Sequence, residues 1–177
     1  VSIVLGIDPG IARVGYGLVQ RHDDDQVTFL DCGILETPAG DCLADRLHTI
    51  YQDLCALLIE FEPRTLAIEQ IFFGRNVSTA FAVGHASGVI QLAAAQHGLR
   101  VHTYRPTEIK QALTGSGKAD KTQVQTMVAL QLRLSAVPQP DDAADALAIA
   151  LCHLHQFRYV ALVHDLESAP MDLDRHA

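Results

Sequence analysis

"VLGIDPGIARVGYGLV", residues 4–19, sets two apolar runs on either side of an acidic bend that carries glycine. Val4 to Ile7 has the aliphatic, β-branched character of a buried strand, and residues 13–20 read as a second one. Asp8-Pro9-Gly10 between them is turn chemistry. Asp8 therefore stands at the exit of the first strand. A carboxylate there is costly unless a cation, a cap or a metal satisfies it, so the rest of the chain has to supply its partner.

Working outward, residues 26–36 form a third apolar run, separated from the second by the polar turn His22-Asp23-Asp24-Asp25. Three strands with short connections predict an antiparallel meander. From Asp41 to Glu62 the period changes, with Leu43, Leu47, Ile50, Leu54, Leu57, Leu58 and Phe61 at three- and four-residue steps, as in an amphipathic helix. "TLAIEQIFF" (65–73) reads as a short buried strand, 76–97 as a helix rich in Ala, Gly and Ser, and "RVHTY" (100–104) as another strand. Helices are predicted near 106–114, 121–133 and 142–157. This order predicts an α/β fold whose mixed five-stranded sheet begins antiparallel, continues with parallel crossovers and is flanked by helices. Residues 161–177 lose periodicity and gain acids, which predicts one domain over 1–160 followed by a loose acidic tail.

A chain of 177 residues that is 49% hydrophobic can bury the core of one domain. The first residues have no basic flank, and no apolar run approaches the ~18–20 residues that cross a bilayer. The expectation is a cytoplasmic protein with no membrane segment. Cys32, Cys42, Cys55 and Cys152 form no C-x-x-C pair, which favours reduced thiols. Cys152 and His155 have helical spacing for a metal, but no second such pair follows, so a structural role is expected for both. The net charge of −8 is unevenly spread. Residues 64–133 carry eight basic and three acidic side chains, +5, against −8 for residues 1–63 and −5 for residues 134–177. The local field governs contact with a polyanion, so the middle third is either a basic working face or ordinary solvated surface.

If strands 2–8 and 65–69 run parallel and adjacent, Asp8 and Glu69 share their carboxyl edge, where open α/β sheets place ligands. "PQPDDAADALAIALCH" adds Asp142 and Asp145, three apart and hence on one helical face. Acids opening a helix also serve as caps and complement its dipole, with Asp141 or Asp142 as the cap. Capping explains one pair but not four gathered carboxylates, which would raise one another's proton affinity unless a cation sat among them. Oxygen-only donors suit Mg²⁺ or Mn²⁺. Two such ions can drive in-line phosphodiester hydrolysis.

"LGIDPGIARVGYGLV", "AIEQIFFGRN", "GSGKADKTQV" and "DDAADALAIA", in that order, resemble the RuvC family of Holliday-junction endonucleases, within the ribonuclease H-like fold. The resemblance implies that Asp8, Glu69, Asp142 and Asp145 form a catalytic, metal-binding tetrad for two Mg²⁺ or Mn²⁺ ions. Asp141 is an additional acid, and the D-x-x-D spacing to Asp145 selects Asp142 over it. The resemblance also implies a homodimer that nicks a four-way DNA junction symmetrically, in recombination and repair, alongside a branch-migration motor of the RuvA and RuvB type.

Phe72 and Phe73 read as core or, by the resemblance, with Phe72 stacking on an unpaired base beside the site. Arg75, Asn76, Lys110, Lys118 and Lys121 are the further DNA-binding candidates, with Lys110 and Lys121 placed on DNA by the resemblance. "GSGKADK" is no Walker loop, because Ala119 follows Lys118 where Ser or Thr is required. Its glycines would let the loop follow a phosphate backbone. The small residues of 76–97 fit close packing inside the monomer or, by the resemblance, a dimer interface. Two other readings are a junction-binding protein without catalysis, which would be expected to lack one of the acids, and an ATP-binding module of actin-like type. The latter needs a second lobe and phosphate loop for which 177 residues leave no room.

Overall fold

The alternation of side chains along the first strand decides the layering. In this computed structural model, which describes residues 2–71 and 77–168, β1 (Ser2–Asp8) sends Leu5 and Ile7 into one apolar cluster and Val4 into another on the opposite face. β2 (Arg13–Arg21) pairs antiparallel with β1, and β3 (Val27–Glu36) antiparallel with β2. β4 (Thr65–Glu69) and β5 (Arg100–Tyr104) then add in parallel on the other side of β1, giving the order β3-β2-β1-β4-β5. This is the expected mixed sheet. β4 closes at Glu69, short of the expected 73.

Helices α1 (Leu43–Phe61) and α2 (Val77–Gln96) cover one face. Ile50, Leu54 and Leu58 of α1 and Ile90 of α2 pack there against Leu5, Ile7, Leu18, Leu66 and Ile68. Each such side chain contributes roughly 1.5–3 kcal/mol on burial. On the other face lie α3 (Pro106–Thr114), α4 (Lys121–Gln131) and α5 (Asp141–Ser168). Among the described residues no helix is long and apolar enough to cross a membrane.

α5 lies against the sheet more closely than side chains would permit. A Cβ on Gly6 would stand 2.1 Å from the carbonyl oxygen of Ala146, one on Gly17 2.7 Å from the backbone nitrogen of Leu147, and one on Gly15 2.1 Å from the carbonyl oxygen of Asp142. Glycine at these positions, opposite the buried alanines 143, 144, 146, 148 and 150, lets helix backbone rest on strand backbone. α5 departs from the sequence expectation at both ends. α5 begins at Asp141, which puts Asp141 and Asp142 inside the first turn, and it runs to Ser168, so residues 161–168 continue the helix instead of forming a loose tail. Cys152 is buried, and His155 meets Gln131 at 2.8 Å, consistent with the structural role expected of both.

Candidate active site

Parallel pairing of β1 with β4 puts Asp8 and Glu69 at neighbouring strand ends. Asp8 is paired across to Gly15, and it is on Gly15 that the backbone of Asp142 rests. The close approach of α5 thus delivers its first turn to the edge carrying Asp8. Asp145 follows one turn along and joins Asp8, Glu69, Lys110, Lys121 and Ile149 in lining a cavity of about 200 Å³.

The electrostatics register this crowding. Burial, and then the charges of Glu69, Asp145 and Asp142, push the Asp8 carboxyl from 3.8 up to about 7, against a smaller opposing pull from Lys121. Glu69 is raised by burial and by Asp145, with Lys110 pulling the other way. Burial alone would lower Lys121, but its hydrogen bonds to Asp145 and Asp141 outweigh that and raise it. Its ammonium lies 3.1 Å from Asp141 Oδ2 and 3.0 Å from Asp145 Oδ2. Among the described residues no three His, Cys, Asp or Glu side chains stand close enough as placed to enclose an ion. The donor set nonetheless fits a hard divalent cation: all-carboxylate oxygen, partly desolvated, with excess negative charge.

The remaining basic candidates lie on α3 and on the turn that follows it. Lys110 is half-buried in the cavity wall, and Lys118 is exposed on the turn between α3 and α4. That turn is pinned: Gly115 caps α3 in the left-handed region (φ 77°), the Gly117 amide donates to Gln111 Oε1 at 2.9 Å, and Ala119 is buried. The loop therefore presents Lys118 from a fixed frame, where free glycines had been expected. Lys118 shares a groove with the hydroxyls of Thr114, Ser116, Thr122 and Thr126, a cluster that sequence reading missed. Phe72, Phe73, Arg75 and Asn76 lie outside the described residues.

Residues 4–153 match the family described as crossover junction endodeoxyribonuclease RuvC. The chain belongs to the RuvC family. The RuvC of Chloroflexus aggregans is 52% identical over 85% of this chain and 92% of its own length. That of Alkaliphilus oremlandii is 48% identical over 86% and 93%. Among solved structures, the RuvC of T. thermophilus in complex with Holliday junction substrate superposes with a TM-score of 0.86 at 36% identity, covering 90% of this chain and 97% of that one. The resemblance read from the motifs is therefore upheld, as is the fold. RuvC-family membership also makes the chain an endonuclease by class, so the acids at the sheet edge are read in that light.

Proposed function

We propose that this chain resolves four-way DNA junctions by hydrolysing phosphodiester bonds with Asp8, Glu69, Asp142 and Asp145, using two bound Mg²⁺ or Mn²⁺ ions. The observation that carries the reading is Asp8: a carboxyl at a strand exit, driven up to about 7 by burial and three neighbouring acids, is a group waiting for a cation. When bound, divalent ions supply activation of the attacking water and stabilisation of the departing oxygen. The chain's own part is to hold the acids on two strand ends and one helix, on rigid elements. Lys110, Lys118 and Lys121 meet phosphates without reading sequence, which predicts strong salt dependence. Phe72, Arg75 and Asn76 follow β4 and are proposed to touch the junction beside the site.

A homodimer provides the two cuts. In support, α2 exposes Phe81 and Leu92, 60% and 55% accessible, and a Cβ on Gly84 or Gly88 would meet open space. Such a surface suits a two-fold contact between copies. The protein acts on chromosomal DNA in the cytoplasm, with a branch-migration motor of the RuvA and RuvB type as partner.

The test is cleavage of a labelled synthetic four-way junction, with linear duplex as control, in Mg²⁺ and in Mn²⁺. Paired symmetric nicks on the junction alone, abolished in Asp8→Asn while junction binding persists, support the reading. Tight binding with no cutting in either metal would leave a junction-binding protein.

A further inference from the structure

The tetrad leaves Asp141 without a role, yet Asp141 holds one of the two carboxylate contacts of the Lys121 ammonium. Lys121 opens α4 and divides its ammonium between Asp141 and Asp145, at 3.1 and 3.0 Å. These two acids are one helical turn apart on α5. Asp145 lines the cavity with Asp8 and Glu69, and Asp142, although outside that lining, adds its charge to those raising Asp8, whereas Asp141 is neither among the cavity-lining residues nor among the charges acting on Asp8. One ammonium is thus shared between a carboxylate inside the site and a carboxylate outside it. We propose that Asp141 is a positioning residue that draws Lys121 off Asp145, so that a divalent cation can take the ammonium's place without Lys121 leaving the mouth of the site.

The physical reason is competition for the same oxygens. An ammonium and a divalent ion cannot both sit against Asp145 without strong repulsion. Without Asp141, an ammonium displaced from Asp145 gives up the only direct carboxylate contact left to it among the described residues. With Asp141 present it keeps one of two, and the exchange becomes easier. The Lys121–Asp141 pair is open to water, its side chains 51% and 54% exposed, so it adds little to stability and is free to shift. Retained on Asp141, the ammonium stays beside the cavity, where it can meet a phosphate oxygen as the backbone arrives.

The inference rests on the metal reading proposed above, and its test is made without DNA or turnover. Mn²⁺ binding is followed by the resonance of the free ion for wild type, Asp141→Asn, Lys121→Met and the double variant, a double-mutant cycle. Lys121→Met alone should tighten Mn²⁺. Asp141→Asn should weaken it roughly five- to tenfold in the native background, a coupling in the ordinary range for contacting pairs. In the Lys121→Met background it should weaken binding by no more than about twofold, the effect of losing one solvent-screened charge. Asp141→Glu should restore native affinity. Equal weakening in both backgrounds, with wild type still binding Mn²⁺, overturns the positioning role alone. Failure of wild type to bind Mn²⁺ overturns the metal reading and this inference with it.

Discussion

Asp8 carries opposite meanings for folding and for function. Its carboxyl titrates near 7 in the folded metal-free protein and near 3.8 when unfolded. Between those values the folded state holds a proton that the unfolded state has released, so stability falls as pH rises through this window and levels off above it. The full displacement corresponds to roughly 4 kcal/mol, an upper bound on the stability at stake. Asp8→Asn should therefore raise the Tm of the metal-free protein by about 5 °C at pH 8. The gain should shrink as pH falls and vanish below about pH 3, where the carboxyl is protonated in both states. A calorimetric pH series in chelator checks this; a variant less stable than wild type at pH 8 would show that the acids are satisfied without a cation. The position of Asp8 was legible in the sequence because a strand exit and a turn are local features. The pairing of Lys121 with Asp141 was not, since it joins two helices across a stretch that no periodicity links.

Among the elements, α5 sets the geometry. Its closeness to the sheet depends on glycine at 6, 15 and 17, and Gly15 couples this closeness to the acids. Gly15→Ala places a methyl 2.1 Å from the Asp142 carbonyl oxygen, between two backbones that have no side chain to move aside. Strand or helix must yield, at about 1–3 kcal/mol for overpacking. Displacing Asp142 and Asp145 by about 1 Å should lower cleavage on the order of a hundredfold. Gly40→Ala, where a Cβ meets nothing within 4 Å, is the control and should change neither Tm nor rate appreciably. Thermal melts and junction cleavage on the two variants decide it, and parity between them would refute the role given to Gly15. The helices and strands were read nearly to their ends from periodicity and turn residues. What escaped were properties set by contact in three dimensions. These are the backbone approach at Gly6, Gly15 and Gly17, the end of β4, and the continuation of α5 to Ser168 through a segment whose apolar period had faded.

For the whole molecule, the uneven charge and the bare face of α2 matter most. The basic middle third includes Lys110 and Lys121 in the cavity at the acidic edge and Lys118 in the groove between α3 and α4, so the chain's overall −8 says little about what approaches there. The α2 face, with Phe81 and Leu92 exposed, is the contact proposed between copies. Phe81→Arg should shift the protein from dimer to monomer in light scattering while leaving its circular dichroism and melting of the isolated fold intact. Junction products should then change from paired to single nicks. A Phe81→Arg protein that stays dimeric would move the interface elsewhere.

The contact between α5 and the sheet bears on how such a protein can decay. The chemistry proposed for it resides in side chains that can be exchanged with little cost to shape, whereas its spacing resides in the absence of side chains at three positions. A lineage released from selection for cutting is therefore free to drift at Asp8 or Glu69 and still inherit a sound fold, but not at Gly6, Gly15 or Gly17. In a descendant that kept only its hold on branched DNA, the glycines would outlast the acids.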